Sequence, residues 1–544
     1  MVPSRRLLLA IAACCAVSSP SYAGPTVDAP AGQVEGVAQG ALRVFKGIPF
    51  ALPPVGEARW KAPAPMPRWD GIRQATAFGP ECIQPESKLS NIYAGNPQPM
   101  SEDCLTLNIW APADAHNAPV FFWIYGGALW GGASRDPIYD GARLAQRGII
   151  VVTINYRLGV LGWLAHPELS AESPSGISGN YGLLDQIQAL RWVKANIGAF
   201  GGDASNVTIA GESAGGLSVM YLMASPEARG LFAKAVAESA YLISTQELKQ
   251  QKYGTPSAED SGLKFAAALH APNIGALRAM TAQTLTAGAA AARFAPFAAV
   301  DGHILPAQLV DVFDNGDQAH VPILAGFNAG EIRSLTILAP PAPPSAADYE
   351  KIVHERYLDL ADDFLKLYPS TNMHESIFAN TRDAMYGWTA ERLVRKQEAA
   401  GAASYLYLFD HGYPAADSAA LHAFHGSELP YVFGTPDRTP PLWPKIPATP
   451  AETSLSDAMI GYWTSFARTG HPAADNAPVW QPYSTNASYM DFTDAPHPAE
   501  HLLPGMYALQ EQTVCRRHAS GDQPWNWNTG ILSPPLSSGK TICQ

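Results

Sequence analysis

The feature that most limits how this chain can fold begins at Val207. Val-Thr-Ile-Ala runs into Gly211-Glu212-Ser213-Ala214-Gly215, and a stretch of small and apolar residues comes next. An apolar strand that enters a G-x-S-x-G turn and leaves as a helix holds its serine on a sharp, strained bend. The two glycines have a steric purpose, since a side chain at either would collide with the neighbouring strand or helix. The helix start behind the serine also offers backbone N–H groups to a developing anion. Ser213 is therefore the candidate nucleophile. Without its flanking strand and helix the same pentapeptide would mark only a turn.

The rest of the chain supplies a matching frame. Residues 120–125 (V-F-F-W-I-Y) and 149–155 (I-I-V-V-T-I-N) read as buried strands, with further strands at 207–210, 235–237, 323–326 and 405–409. Residues 182–197 and 217–223 read as helices, the second stopped by Pro226. Continuous apolar strands alternating with helices predict a large, mostly parallel twisted sheet covered on both faces. Residues 245–299 are Ala-rich and read as helical, as do residues 349–400, and the Ala339–Pro344 run is a surface connector. These stretches, near 245–299 and 335–400, are expected as insertions over the strand ends of one α/β unit spanning residues 24–544.

The N-terminus reads as an export signal over residues 1–23. Arg5 and Arg6 precede an apolar run at 7–17, and Ser21-Tyr22-Ala23 is a small-x-small cleavage site. A twin-arginine signal and a lipoprotein site at Cys14 stay open as variants. Cleavage leaves Cys82, Cys104, Cys515 and Cys543, an even set that argues for disulfides in an exported chain. Of three possible pairings the local one, Cys82–Cys104 with Cys515–Cys543, is the most economical. No CxxC or HExxH spacing suggests a metal site. The net charge of −12 comes without a basic stripe, which argues against nucleic acid, and no later run has the length of a membrane span.

Several motifs together resemble the type B carboxylesterases, the family that includes the cholinesterases and bacterial p-nitrobenzyl esterases. They are Phe45-Lys46-Gly47-Ile48-Pro49-Phe50, Ser101-Glu102-Asp103-Cys104-Leu105-Thr106-Leu107-Asn108, Gly179-Asn180-Tyr181-Gly182, Phe200-Gly201-Gly202-Asp203 and Trp463-Thr464-Ser465-Phe466. The resemblance spans roughly residues 24–480 in the family's order and implies the α/β-hydrolase fold. Fourteen histidines compete for the role of base, and periodicity does not choose among them. The resemblance does: in His422-Ala423-Phe424-His425-Gly426-Ser427-Glu428 it implies His425, with His422 the nearest rival. It implies Glu331, in Gly326-Phe327-Asn328-Ala329-Gly330-Glu331, as the orienting acid, although the family usually carries Asp-Glu-Gly where this chain has Gly-Glu-Ile. The order Ser213, Glu331, His425 is the one the fold requires.

Tyr125-Gly126-Gly127-Ala128-Leu129 corresponds to the family's H-G-G-G-F motif. The backbone N–H groups of Gly127 and Ala128 would then join that of Ala214 in an oxyanion hole, provided the local angles at Ala128 admit a Cβ. The implied activity is hydrolysis of small to medium hydrophobic esters through an acyl-enzyme, with no cofactor. It should rise with pH as His425 ionises, near 6.5 unless the site shifts it. An amide or carbamate hydrolase and a non-catalytic binding protein are the alternatives, and the oligomeric state is open between monomer and weak dimer. Glu212 and Glu428 read as structural hydrogen-bonding residues, and Trp130, Trp163, Phe424 and Tyr431 as packing or pocket lining.

Overall fold

The computed structural model describes residues 24–86, 91–96, 98–525 and 530–537. The export signal at 1–23 and Cys543 lie outside them. The centre is an 11-stranded sheet. In chain order its strands are β1 (Val37–Gln39), β2 (Leu42–Pro49), β3 (Thr106–Pro112), β4 (Ala118–Ile124), β5 (Ile150–Ile154) and β6 (Gly202–Glu212), then β7 (Lys234–Glu238), β8 (Ile323–Asn328), β9 (Ser404–Phe409), β10 (Ser488–Phe492) and β11 (Pro496–Glu500). Across the sheet they lie in the order β11-β10-β9-β8-β7-β6-β4-β5-β3-β2-β1. Neighbours from β5 to β10 pair in parallel. The remaining neighbours are antiparallel.

The parallel block contains the strands that the apolar runs predict. Every residue of β4, β5, β7, β8 and β9 is buried, as expected where helices cover both faces of a sheet. The antiparallel edges carry no such signal; β11 has two prolines and half-exposed residues, a composition that blunts an edge against further pairing. Helices α1 (Tyr181–Asn196) and α2 (Ala214–Ala224) cover the centre, with α3 (Trp388–Ala399) and α4 (Pro450–Thr469) beside them.

Residues 245–299 hold three helices, Ala258–Ala268, Ile274–Arg278 and Ala282–Ala291, each started by a side-chain cap from Ser257, Asn273 or Thr281. They form a satellite core with Trp60, Val160 and Leu161. In the second stretch expected as an insertion, helices Ala346–Tyr357, Ala361–Leu367 and Met373–Arg382 run into a π-helical turn, Asp383–Gly387, that leads into α3. Cys82 and Cys104 are joined by a disulfide. Among the described residues no helix is long and apolar enough to cross a membrane.

Candidate active site

The sheet's parallel block brings the candidate residues to one edge, beyond the C-terminal ends of its strands. Ser213 follows β6 and starts α2 with φ 57° and ψ −120°, a conformation that costs a non-glycine residue about 1–3 kcal/mol. The glycines on either side explain how the bend closes. A Cβ on Gly211 would lie 2.5 Å from the carbonyl of Gly215, and one on Gly215 would lie 2.0 Å from the carbonyl oxygen of Ile124 in β4. Register seals this arrangement, because Gly211 pairs with Ile124 and Glu212 with Glu238 of β7. The Ser213 N–H donates to the Glu238 carbonyl at 2.9 Å.

Glu331 opens the short helix after β8 and is fully buried. One carboxylate oxygen accepts from Ser239 Oγ at 2.6 Å and from the Asn328 N–H at 2.8 Å. The other bonds His425 Nδ1. The two segments are also laced together: the Gly330 N–H donates to the Ala423 carbonyl at 2.8 Å, and the Asn328 side-chain Nδ2 donates to the Phe424 carbonyl at 2.8 Å. Asn328 also bonds Glu428, a structural hydrogen bond of the kind expected of that residue. His425 is thus held on its Nδ1 side by a carboxylate that is itself fixed.

The Nε2 side of the ring faces Glu212, whose Oε1 lies 3.1 Å away. Its only signal in the sequence is adjacency to Ser213. Burial would lower the His425 pKa, but the Glu212 and Glu331 carboxylates outweigh it and raise the ring to about 9. Burial in turn raises Glu212 to about 7, against the pull of His425. Tyr386, on the π-helical turn, lies against the imidazole with ring centroids 5.3 Å apart, and Tyr93 meets it edge-on at 6.4 Å. The Tyr93 hydroxyl donates to the His425 carbonyl at 2.9 Å. Neither tyrosine belongs to a motif or to a period that sequence reading could single out.

The loop after β4 stands beside Ser213: a Cβ on Gly126 would lie 3.0 Å from Ser213 Cβ. Gly127 has φ 106° and Ala128 φ 55°, and both are exposed at the site. Ala128 therefore fits its turn in the left-handed region, at a cost of about 1–2 kcal/mol that glycine would avoid. Tyr125 is buried and stacks on Tyr156 at 4.6 Å, and the Tyr156 hydroxyl donates to the Tyr125 carbonyl at 2.9 Å. Trp163, Phe424 and Tyr431 are buried in packing, Phe424 against Trp443 at 4.7 Å and Tyr431 through a 2.6 Å bond to Glu452. Trp130 is half-buried directly after the 126–129 loop, its backbone N–H on the Gly127 carbonyl at 3.0 Å. Asp301 shapes a turn, accepting from the N–H groups of His303, Ile304 and Leu305 at 2.8, 2.7 and 3.1 Å. Among the described residues no group of acids, histidines and cysteines is arranged to hold a metal ion.

The carboxylesterase family model matches residues 23–508. The chain is 36% identical over 473 residues to the fumonisin B1 esterase of Sphingopyxis macrogoltabida, covering 85% of each chain. It is 36% identical over 465 residues to the para-nitrobenzyl esterase of Bacillus subtilis (strain 168), covering 83% of this chain and 91% of that one. A solved PNB esterase superposes with a TM-score of 0.76 at 32% identity, covering 89% of this chain and 99% of its own. The fold is the α/β-hydrolase fold and the chemistry is that of a carboxylic ester hydrolase. The chain belongs to the carboxylesterase family.

Proposed function

We propose that Ser213, His425 and Glu331 act as a catalytic triad on small to medium hydrophobic esters. The observation that carries this reading is the fixed carboxylate of Glu331 on His425 Nδ1, at the same sheet edge as the strained Ser213. Ser213 Oγ attacks the ester carbonyl while His425 Nε2 takes its proton, and the carbonyl oxygen becomes the oxyanion. The N–H groups of Gly127, Ala128 and Ala214 receive that oxyanion. His425 returns the proton to the leaving alcohol, and water then cleaves the acyl-enzyme by the same route. Among the described residues no hydrogen bond joins Ser213 Oγ to the ring; such bonds commonly tighten only when substrate is bound.

Tyr93, Tyr386 and the half-buried Trp130 near the reacting groups favour apolar or aromatic ester portions. The names of the relatives extend from a para-nitrobenzyl ester to fumonisin B1, which supports a broad ester class rather than one compound. Replacing Ser213 by Ala should abolish hydrolysis of p-nitrophenyl acetate and butyrate with thermal melting unchanged. Retained activity in that variant would remove Ser213 from the mechanism. The Cys82–Cys104 disulfide supports export with residues 1–23 removed, and N-terminal sequencing of the mature protein, expected to begin at Gly24, tests it.

A further inference from the structure

We propose that His422 is a positioning residue for the reaction: held as an imidazolium between Asp410 and Asp417, it pins the segment that presents His425. The proposal rests on the ester-hydrolase reading. Both ring nitrogens of His422 lie at hydrogen-bond distance from a carboxylate oxygen, Nδ1 2.9 Å from Asp417 Oδ1 and Nε2 3.0 Å from Asp410 Oδ1. An ionised carboxylate only accepts, so both nitrogens must donate, and a neutral imidazole has one N–H. The geometry therefore requires the cation. The clamp is tightly built: a Cβ on Gly412 would lie 2.3 Å from His422 Nδ1 and 2.6 Å from Asp417 Oδ1. The ring is drawn into place although the backbone of His422 sits at φ 48°, in the left-handed region.

The clamp matters because the chain leads directly from it to the base. Four successive carbonyl oxygens are engaged: His422 by the Phe424 N–H, Ala423 by the Gly330 N–H, Phe424 by Asn328 Nδ2 and His425 by the Tyr93 hydroxyl. Two of those donors, Asn328 and Gly330, lie within three residues of Glu331. The segment 417–420 before His422 is exposed and everything from Ala423 to Phe433 is buried, so the His422 side chain holds the point where the chain enters the core. A displaced entry would move the base and strain its link to the acid together. Asp410 anchors the other side, since it directly follows β9 and its N–H donates to the Phe492 carbonyl of β10 at 2.8 Å.

Other charges act on the same carboxylates. Arg382, from the second insertion, interacts with Asp410, and Tyr489 and Asp491 of β10 face it, with His497 3.5 Å from Asp491. With these in place the hydrogen bond that His422 donates to Asp410, opposed by burial and aided by the one it donates to Asp417, raises His422 to about 9. The raised value sets the sign. The clamp is complete below the unfolded histidine value of about 6.5 and is lost as pH rises through about 9.

The test compares purified wild type with His422→Gln, which removes the charge, and His422→Arg, which keeps it at every pH. On p-nitrophenyl butyrate near pH 8, His422→Gln is expected to lose about tenfold in kcat with KM little changed, and His422→Arg to recover most of it. The ratio of kcat/KM for His422→Arg to that of wild type cancels the titration of His425. It should be flat from about pH 6 to 8 and rise above about 9, where wild type loses its clamp and the arginine does not. A folded His422→Gln with wild-type kcat, or a ratio flat to pH 10, overturns the proposal; the ratio needs no His422→Gln protein should that variant fail to fold. Ser213→Ala run alongside separates the two readings. If it is inactive while the His422 variants match wild type, only the clamp falls; if wild type hydrolyses no ester, both fall.

Discussion

Replacing Glu212 by Gln keeps the shape of the side chain beside His425 Nε2 and removes its charge, which makes it the sharpest probe of the site's electrostatics. At 3.1 Å and an effective dielectric constant near 20, the ion pair has a Coulomb energy of about 5 kcal/mol. That is an upper bound, because His425 is raised only from 6.5 to about 9 by two carboxylates acting against burial. Loss of one of the two should lower the ring by about 1–3 units. The sign then comes from the reaction. In the proposed mechanism the base must be neutral to accept the Ser213 proton, so the rising limb of kcat/KM should move to lower pH by that amount. The carboxylate also stabilises the imidazolium that forms in the transition state. With the proton half transferred and a shift of about 2 units, the high-pH plateau falls by about tenfold. The two profiles therefore converge at low pH and separate above about pH 7, where wild-type Glu212 is ionised. Steady-state kinetics on p-nitrophenyl acetate from about pH 5 to 10 measures both quantities. A lower plateau with an unmoved limb, or a limb moved upward, would refute the electrostatic account and leave Glu212 a purely structural residue.

Three further outcomes rest on named contacts. Ala128→Gly removes left-handed strain of about 1–2 kcal/mol but loosens the unfolded chain by about 0.5–1, so urea denaturation should show a net gain of no more than about 1.5 kcal/mol. Cys82→Ser with Cys104→Ser opens a closure of 22 residues, and chain entropy predicts a loss of about 3 kcal/mol, read by the same denaturation. Gly330→Ala places a Cβ 2.8 Å from the carbonyl oxygens of both Leu421 and Ala423, so the acid and base loops must part; kcat should fall by about 10–100-fold, against little change if the loops were independent.

The parts of this molecule that are legible in the sequence are those whose cause is local. The strand-turn-helix around Ser213 arises from apolar residues and two glycines within a few positions, and the structure supplies the collisions that make those glycines necessary. The runs at 120–125 and 149–155 form β4 and β5 with ends moved by a residue or two, because burial on both faces leaves no alternation to misread. Strand β6 shows less than half its length in the sequence. Its first residues, Gly202 to Asn206, are polar and pair irregularly with β4, so they carry no strand pattern. Composition predicts helices in both insertions, but not the π-helical turn that lays Tyr386 against His425. Tyr93, Ser239 and the Glu212–His425 approach are illegible for one reason: each joins segments far apart in the chain, and no period or motif encodes such a meeting.

The departures of this chain from its family's motifs can be read in the same physical terms. Tyr125, in place of histidine, is buried in a stack with Tyr156, and the Tyr156 hydroxyl holds the carbonyl that leads into the 126–129 loop. Ala128 keeps the N–H that an anion would use and accepts a left-handed backbone. Gly330, where the family places an aspartate, lets two carbonyls of the base's loop approach within 2.8 Å of its missing Cβ while its own N–H bonds one of them. All three changes fall at positions that shape the backbone. The groups that would meet developing charge, Ser213, Glu331, His425 and the donor N–H groups, are unchanged in kind. On the proposed triad the chemistry lies at the strand ends, and differences in substrate are expected from the segments that approach them, with Tyr93 and Tyr386 the first side chains to vary.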